Sequence, residues 1–294
     1  MFENHAIVVD EAIAFIGKNV LEKISSREVA RYCGISHWYF QRIFKKHTGE
    51  NIGEYIRKRR LTNAAQRLIR SKERIIDIAM EHHFTTQESF TRAFKMLFAM
   101  PPAKYRTQFR DFLFHKEAFQ LTAPTGWMIS GSNPQDYLTG IDYTTVHTGK
   151  ASAYLQGDSK LTPNGFVTMM QEIKTDLYIG KRIRLSAFAK ADTISGSGAL
   201  WMRVDTANGD TVAFDNMHNR LIKGTHDWGH CSVVLDIPAD ASTISFGFLL
   251  SGEGKLFMDG MKFEEVDETI PVTDIRLGEV ETLGNEPVNL GFER

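Results

Sequence analysis

Between residues 1 and 112 apolar side chains recur at intervals of three and four, and no proline interrupts them before Pro101. That spacing lays one face of a helix against a core. Over residues 52–69 the stripe is Ile52, Tyr55, Ile56, Ala64, Ala65, Leu68 and Ile69, which predicts a helix of about 18 residues, roughly 27 Å long. Pro101-Pro102 predicts a last short helix, because proline's fixed φ suits a first turn. From about residue 120 the period changes to two. Ile183, Leu185, Ala187 and Ala189 share one face of a run, as do Leu200, Met202 and Val204, and Ile244, Phe246, Phe248 and Leu250. Trp201, Arg203 and Asp205 point the other way. Turn signals at SGSG (195–198), NG (208–209) and GEG (252–254) divide the runs into short strands without helices between them, the pattern of an antiparallel β-sandwich. The expectation is a multidomain α plus β chain, with an all-α domain over 1–112 and a β-sandwich over 119–294. The join, HKEAFQLTAPTG, is short enough for the two to touch.

Two segments of the helical half carry the same grammar. In SSREVARYCGISHWYFQRIFKKHTG (25–49), Ser25 or Ser26 can cap a first helix, Gly34 supplies a positive-φ turn, and Ser36 caps a second helix. Ala30, Ile35, Phe40, Ile43 and Phe44 pack that helix down. His37, Trp38, Gln41, Arg42 and Lys45 then face outward, where a recognition helix meets base edges. Arginine suits guanine, glutamine suits adenine, and an apolar ring meets thymine methyls; the competing reading makes Trp38 a core residue. In IIDIAMEHHFTTQESFTRAFKMLFAMPPAKYR (75–106), Ile78, Ala79, Phe84, Phe90 and Phe94 form the packing set. Thr86 caps the helix, leaving Gln87, Glu88, Ser89 and Arg92 exposed. A linking helix of about 27 Å nearly spans one DNA turn of about 34 Å, so one chain can place both helices in successive major grooves.

Charge sharpens this. Residues 1–118 hold 21 Lys+Arg against 13 Asp+Glu, and the remainder 14 against 23, so a basic half precedes an acidic one within a net charge of −1. Only the first is built to face a polyanion such as double-stranded DNA. No apolar run approaches the ~18 residues of a membrane span. Acids stand near the N-terminus where a signal peptide needs bases. The expected location is cytoplasmic, with no membrane partner. Cys33 and Cys231, in different halves, read as reduced thiols.

Residues 5–110 resemble the DNA-binding domain of the AraC/XylS family, most closely its branch containing MarA, SoxS and Rob. YIRKRRLTNAAQRL, the SHWYFQRIFKKHTG helix and the MPPAKYR ending carry the likeness. It implies base reading by Trp38, Gln41 and Arg42 and by Gln87, Glu88, Ser89 and Arg92. It also implies asymmetric sites bound by a monomer or weak dimer, RNA polymerase as a partner, and activation as the commoner role. Two glycines of the family pattern are replaced, by His83 in the second turn and by Ala99 before the final Pro motif. A histidine at positive φ costs stability.

The β half, through residues 126–155, 213–228 and 246–266, resembles jelly-roll carbohydrate-binding modules. Such jelly rolls often open on an N-x-x-F-E strand, which here stands at the end of the chain in PVNLGFER (287–294). The tail 284–294 is therefore expected to return to the sandwich as a strand, in cis or in trans; the alternative is a disordered acidic tail. A ligand site needs aromatic faces and convergent polar groups. The candidates are Trp201, Arg203, Asp205, Asp215, Asn216, Arg220 and Trp228, for a sugar-like or a hydrophobic small-molecule effector. The alternatives are a carbohydrate-binding protein and a regulator whose β domain is a protein-interaction module without ligand. His226 and His230, with Asp227 between them, could be metal ligands but lack a convincing third, and Asp259 in FMDG lacks a calcium ligand set. Neither a paired-carboxylate site nor a nucleotide fingerprint is present. The expectation is therefore no enzyme, no catalytic or metal-binding residues and no cofactor.

Overall fold

The structure, a computed structural model, describes residues 3–107, 123–159, 161–162 and 165–274. The tail 284–294 and most of the join lie outside these residues. Six helices come first: α1 (Glu3–Lys18), α2 (Ser26–Tyr32), α3 (His37–Thr48), α4 (Ile52–Arg70), α5 (Ile75–Glu81) and α6 (Gln87–Phe98). Residues 102–107 form a last helical segment behind Pro101, and its Tyr105 is buried against Phe94 and Phe98.

Local chemistry sets the helix ends. Ser25 rather than Ser26 caps α2, in a reciprocal box with Glu28. Ser36 caps α3, Asn51 caps α4, and Thr86 caps α6 in a box closed by Ser89. Gly34 has φ 69, and Ala99 has φ 58 at the left-handed C-cap of α6. His83 also adopts positive φ, 62, at the turn between α5 and α6. Its Nε2–H donates to the Leu21 carbonyl at 2.7 Å, which offsets part of the backbone cost. Every member of the predicted 52–69 stripe is buried.

Nine strands follow among the described residues: β1 (Met128–Gly131), β2 (Tyr137–Asp142), β3 (Ser152–Gly157), β4 (Phe166–Lys174), β5 (Arg182–Thr206), β6 (Thr211–Asp215), β7 (Ile222–Asp236), β8 (Ala241–Ser251) and β9 (Gly254–Val266). All their pairings are antiparallel. The 25-residue β5 belongs to both layers. Its first half pairs with β7 and β9, and its second half with β8 and β6. β1–β4–β8 extends one layer and β9–β3–β2 the other, so a jelly-roll sandwich is hydrogen-bonded into one curled sheet.

SGSG, expected as a turn, instead lies inside β5. Its register slips between Ile194 and Gly198, and a Cβ on Gly196 would stand 2.2 Å from the Ser251 carbonyl oxygen. The glycines let one strand bend closely past its neighbour as it changes layers, the other established use of glycine in a strand. The alternating positions read from the sequence, Ile183 to Ala189, Leu200 to Val204 and Ile244 to Leu250, fill the core between the layers.

The two halves are fused through a common core. Phe188, Trp228 and Phe257 project from the outer face of the β5–β7–β9 layer. They join Val9, Ile13, Ile16, Phe40, Phe44 and Tyr55 of the first helical unit in one apolar cluster. The second unit keeps a core of its own around Leu68, Ile78, Phe90, Phe94 and Phe98, touched by Tyr143. Each aromatic side chain buried at the junction contributes roughly 1.5–3 kcal/mol.

Candidate nucleic-acid interface and interdomain cleft

On α3 the apolar face, Phe40, Ile43 and Phe44, is buried, and the opposite face is bare. Trp38 is 85% exposed, which removes the core reading. Gln41, Arg42 and Lys45 are exposed beside it, one helical stripe at i, i+3, i+4 and i+7. The Arg42 guanidinium lies 5.3 Å from the Tyr39 ring centroid, which steadies it. His37 is only half-exposed. Its Nε2 lies 2.9 Å from the Ser26 hydroxyl and 3.1 Å from Gln41 Nε2, so it ties α3 to α2 and orients Gln41. Ser36 is likewise occupied as the cap.

α6 repeats α3 with an offset of 50 residues. Arg42 and Lys45 correspond to Arg92 and Lys95, and all four are exposed. Gln87 and Glu88 are exposed at its N-terminus, whereas Ser89 is held in the capping box with Thr86. Lys95 did not stand out in the sequence; alignment of the two units by their Phe40/Phe90 and Phe44/Phe94 pairs would have found it.

The 19-residue α4, about 28 Å long, joins the two units under the grip of the β2–β3 connection. Arg70 donates to the Thr144 carbonyl at 3.0 Å, Gln66 to Val146 at 3.2 Å and Arg59 to His147 at 2.6 Å. The Gly149 N–H donates to the Thr62 hydroxyl at 3.2 Å. Asp259 keeps this connection in shape by accepting the His147 and Thr148 amides at 2.7 and 3.0 Å.

The β layer also holds α3 by its C-terminal end. Arg184 donates to the Lys46 carbonyl at 2.8 Å, and Lys262 donates to the Thr48 carbonyl. Cations at carbonyls left open by the last helical turn are favourable both as hydrogen bonds and against the helix dipole. The N-terminal half of α3, with its bare stripe, stays clear of this grip.

Beside these contacts a cleft of about 1390 Å³ opens between α1, the end of α3 and β7. Asp10, His47, Arg184 and His230 line it, with Lys18, Lys46 and Lys223. Burial, followed by the nearby Arg184, lowers His47 to about 4 and His230 to about 3, so both are neutral. Asp10 is exposed at the cleft, yet the protein around it holds its carboxyl above the ordinary range, partly countered by the His230 amide.

Residues 29–108 match the family described as "Helix-turn-helix domain". An uncharacterized HTH-type transcriptional regulator of Bacillus subtilis, YbfP, is 45% identical over 287 residues, covering 97% of this chain and 96% of its own. The chain belongs to the AraC family of helix-turn-helix transcriptional regulators. The multiple antibiotic resistance protein MarA of Escherichia coli is 41% identical to this regulator over 101 residues, 34% of the regulator and 80% of MarA. Among solved structures, the xylan-binding domain of Paenibacillus barcinonensis Xyn10C matches half of the regulator and 90% of its own chain, with 18% identity and a TM-score of 0.36.

The predicted ligand residues of the regulator's β domain do not converge. Trp201 is buried, with its indole N–H given to the Thr168 hydroxyl at 2.8 Å, so it presents no bare ring. Arg203 pairs with Asp205 at 2.8 Å, and Asp205 also accepts Thr211. Asp215 is fully buried and holds Arg220, which in turn donates to the Ser232 carbonyl, so the pair pins the β6–β7 connection. Asn216 follows on that connection, and its buried Oδ1 has no partner. Trp228, 5% exposed, packs into the junction instead of awaiting a sugar. Of the seven, only Arg220 and Trp228 line the cleft.

Proposed function

We propose that this regulator binds an asymmetric double-stranded DNA site as a single chain, with α3 and α6 in successive major grooves. Trp38, Gln41, Arg42 and Lys45 read bases and phosphates from the first helix, with Ser36 and His37 positioning them. Gln87, Glu88, Arg92 and Lys95 do so from the second, where Ser89 sets the cap. The observation that carries this reading is the bare stripe Trp38–Gln41–Arg42–Lys45: a tryptophan, a glutamine and two cations exposed on the face opposite the buried Phe40, Ile43 and Phe44, with the arginine and lysine repeated 50 residues on. Binding at such a surface releases counterions and weakens steeply with salt. Activation, through contact with RNA polymerase, is the direction we assign, following the resemblance to the AraC/XylS family.

The β domain makes DNA binding conditional on a small-molecule effector. Its support is the fused core and the hold of Arg184 and Lys262 on the end of α3, through which an event in the β domain reaches the first reading helix. Genome-wide mapping of bound DNA, followed by footprinting of one recovered site, tests the proposal. The expected result is a protected site longer than one helical turn with two half-sites. Protection of a single half-site, unchanged when Arg92 is replaced by alanine, would overturn the two-helix reading.

A further inference from the structure

The cleft between α1 and β7 combines an apolar lining with an excess of positive charge. Val9 and Ala14 of α1 face Leu221 and Ile222 at the start of β7, and Ile270 and Val272 close the far side. Lys18, Lys46, Arg184 and Lys223 line the cleft with two carboxylates, Asp10 and Asp227; Asp227 is paired with Lys190 at 2.9 Å and Arg184 with Glu264 at 3.0 Å, and Lys46 donates to the Thr269 hydroxyl at 2.7 Å. Neither Lys18 nor Lys223 makes an ion pair among the described residues. Arg184 is 6% exposed, with Nε unpartnered, while its other nitrogens serve Glu264 and the Lys46 carbonyl. Because that Nε is sealed from solvent, Arg184 offers the cleft positive charge and not an open donor. The volume exceeds the roughly 300–1,000 Å³ of a drug-sized site, leaving room for a small molecule and its water.

We propose that this cleft binds a small amphipathic organic anion, its apolar body against α1 and β7 and its charged group toward Arg184, Lys46 and Lys223. Occupancy changes how firmly the end of α3 is held and therefore how well it reads DNA. A neutral sugar fits less well, because Trp228, which lines the cleft, is packed into the junction. A cation would meet the lysines. This assignment rests on the effector reading above and gives that effector a place and a chemical class.

Three probes sharing one apolar body separate the alternatives: naphthoate, the neutral naphthalenemethanol and the cationic naphthylmethylamine, each titrated calorimetrically into the full-length protein. Naphthoate is expected to bind at one site, about tenfold or more tighter than the neutral analogue, with the cation weakest. Lys18→Glu with Lys223→Glu, two exposed positions, should weaken naphthoate about tenfold or more while leaving the melting temperature in place. Ala14→Trp, which fills the cleft from an exposed position on α1, should abolish binding. Fluorescence anisotropy on a recovered DNA site, with and without naphthoate, should then differ for the native protein and coincide for Ala14→Trp.

Equal binding of the three probes, or naphthoate binding untouched by Ala14→Trp, would overturn the site. Absence of naphthoate binding in a protein that still binds its DNA would do the same and leave the DNA reading intact. Naphthoate binding with no change in DNA affinity would overturn the coupling. Failure of the ligand-free protein to bind any recovered DNA would count against the proposed function, not the cleft.

Discussion

The Tyr55 hydroxyl lies 2.8 Å from His147 Nε2 at the middle of the domain junction, where His147 stacks on Phe188 with ring centroids 3.8 Å apart. His147 is fully buried, and burial followed by the nearby Arg59 holds it well below its ordinary value of 6.5. The imidazole is neutral in the fold and takes up a proton far more readily once the chain unfolds. Its contribution to stability is present above about pH 6.5 and is lost as the pH falls below that value. His47 and His230 behave alike, lowered to about 4 and about 3. Asp259 is raised to about 6 by burial, and Asp10 is raised too, so both retain protons in the fold and oppose the trend below neutrality. The histidines outnumber them. Urea midpoints should fall from pH 7.5 to 5.5, with each uncompensated proton worth at most about 1.4 kcal/mol per pH unit. His147→Gln should flatten the slope; a midpoint insensitive to pH in the native protein would contradict the account.

Arg184→Met removes the donor to the Lys46 carbonyl and leaves Glu264 facing apolar surface. The expected cost is about 2–3 kcal/mol in chemical denaturation. An undiminished unfolding free energy would mean that the hold on α3 is incidental.

Trp38→Ala and Arg42→Ala should separate stability from recognition. Both side chains are exposed, so thermal melts should move by no more than about 0.5 kcal/mol equivalent. Specific DNA binding should weaken by about 1–3 kcal/mol for Arg42→Ala, with relaxed choice at one base position. Arg92→Ala should weaken it by the same mechanism in the second half-site. Selection of binding sites from random DNA by each variant would reveal which base is released, and an unchanged consensus would rule out base reading by that arginine.

Ala99 closes α6 at φ 58, a conformation that costs an L-residue roughly 1–2 kcal/mol. Ala99→Gly should recover about 1 kcal/mol, read as a higher denaturation midpoint. His83→Gly should gain less, because it gives up the bond to Leu21 while relieving φ 62.

Much of the helical half was legible because its signals are local. Ser36, Gly34 and Thr86 mark ends within a few residues, and the stripe from Ile52 to Ile69 fixes the buried face of α4. The strand cores were legible for the same reason. Alternation tells which side chains leave the core, however, and not what meets them. Trp228 reads as an exposed aromatic until α1 and α4 are seen to cover it, and Phe188 and Phe257 join it from strands 40 and 29 residues away. Arg203 and Arg220 read as ligand grips, yet each neutralises an aspartate within five positions of itself. The cleft was invisible for a related reason. Its walls come from α1, the end of α3, β7 and residues 269–273, which no periodicity connects.

The series of bonds from residues 144–149 along α4, with Tyr143 against the second unit, has one more consequence. A linking helix free to swing would let the two reading heads follow DNA of varied half-site spacing. Splinted along its length, it becomes a ruler. Each base pair inserted between half-sites turns the second one by about 34° around the duplex and moves it about 3.4 Å along it. A rigid pair of heads cannot follow both displacements. On the two-groove reading proposed above, base pairs inserted between the half-sites should therefore weaken binding through lost helical phase, and gel shifts on spacer variants would show it.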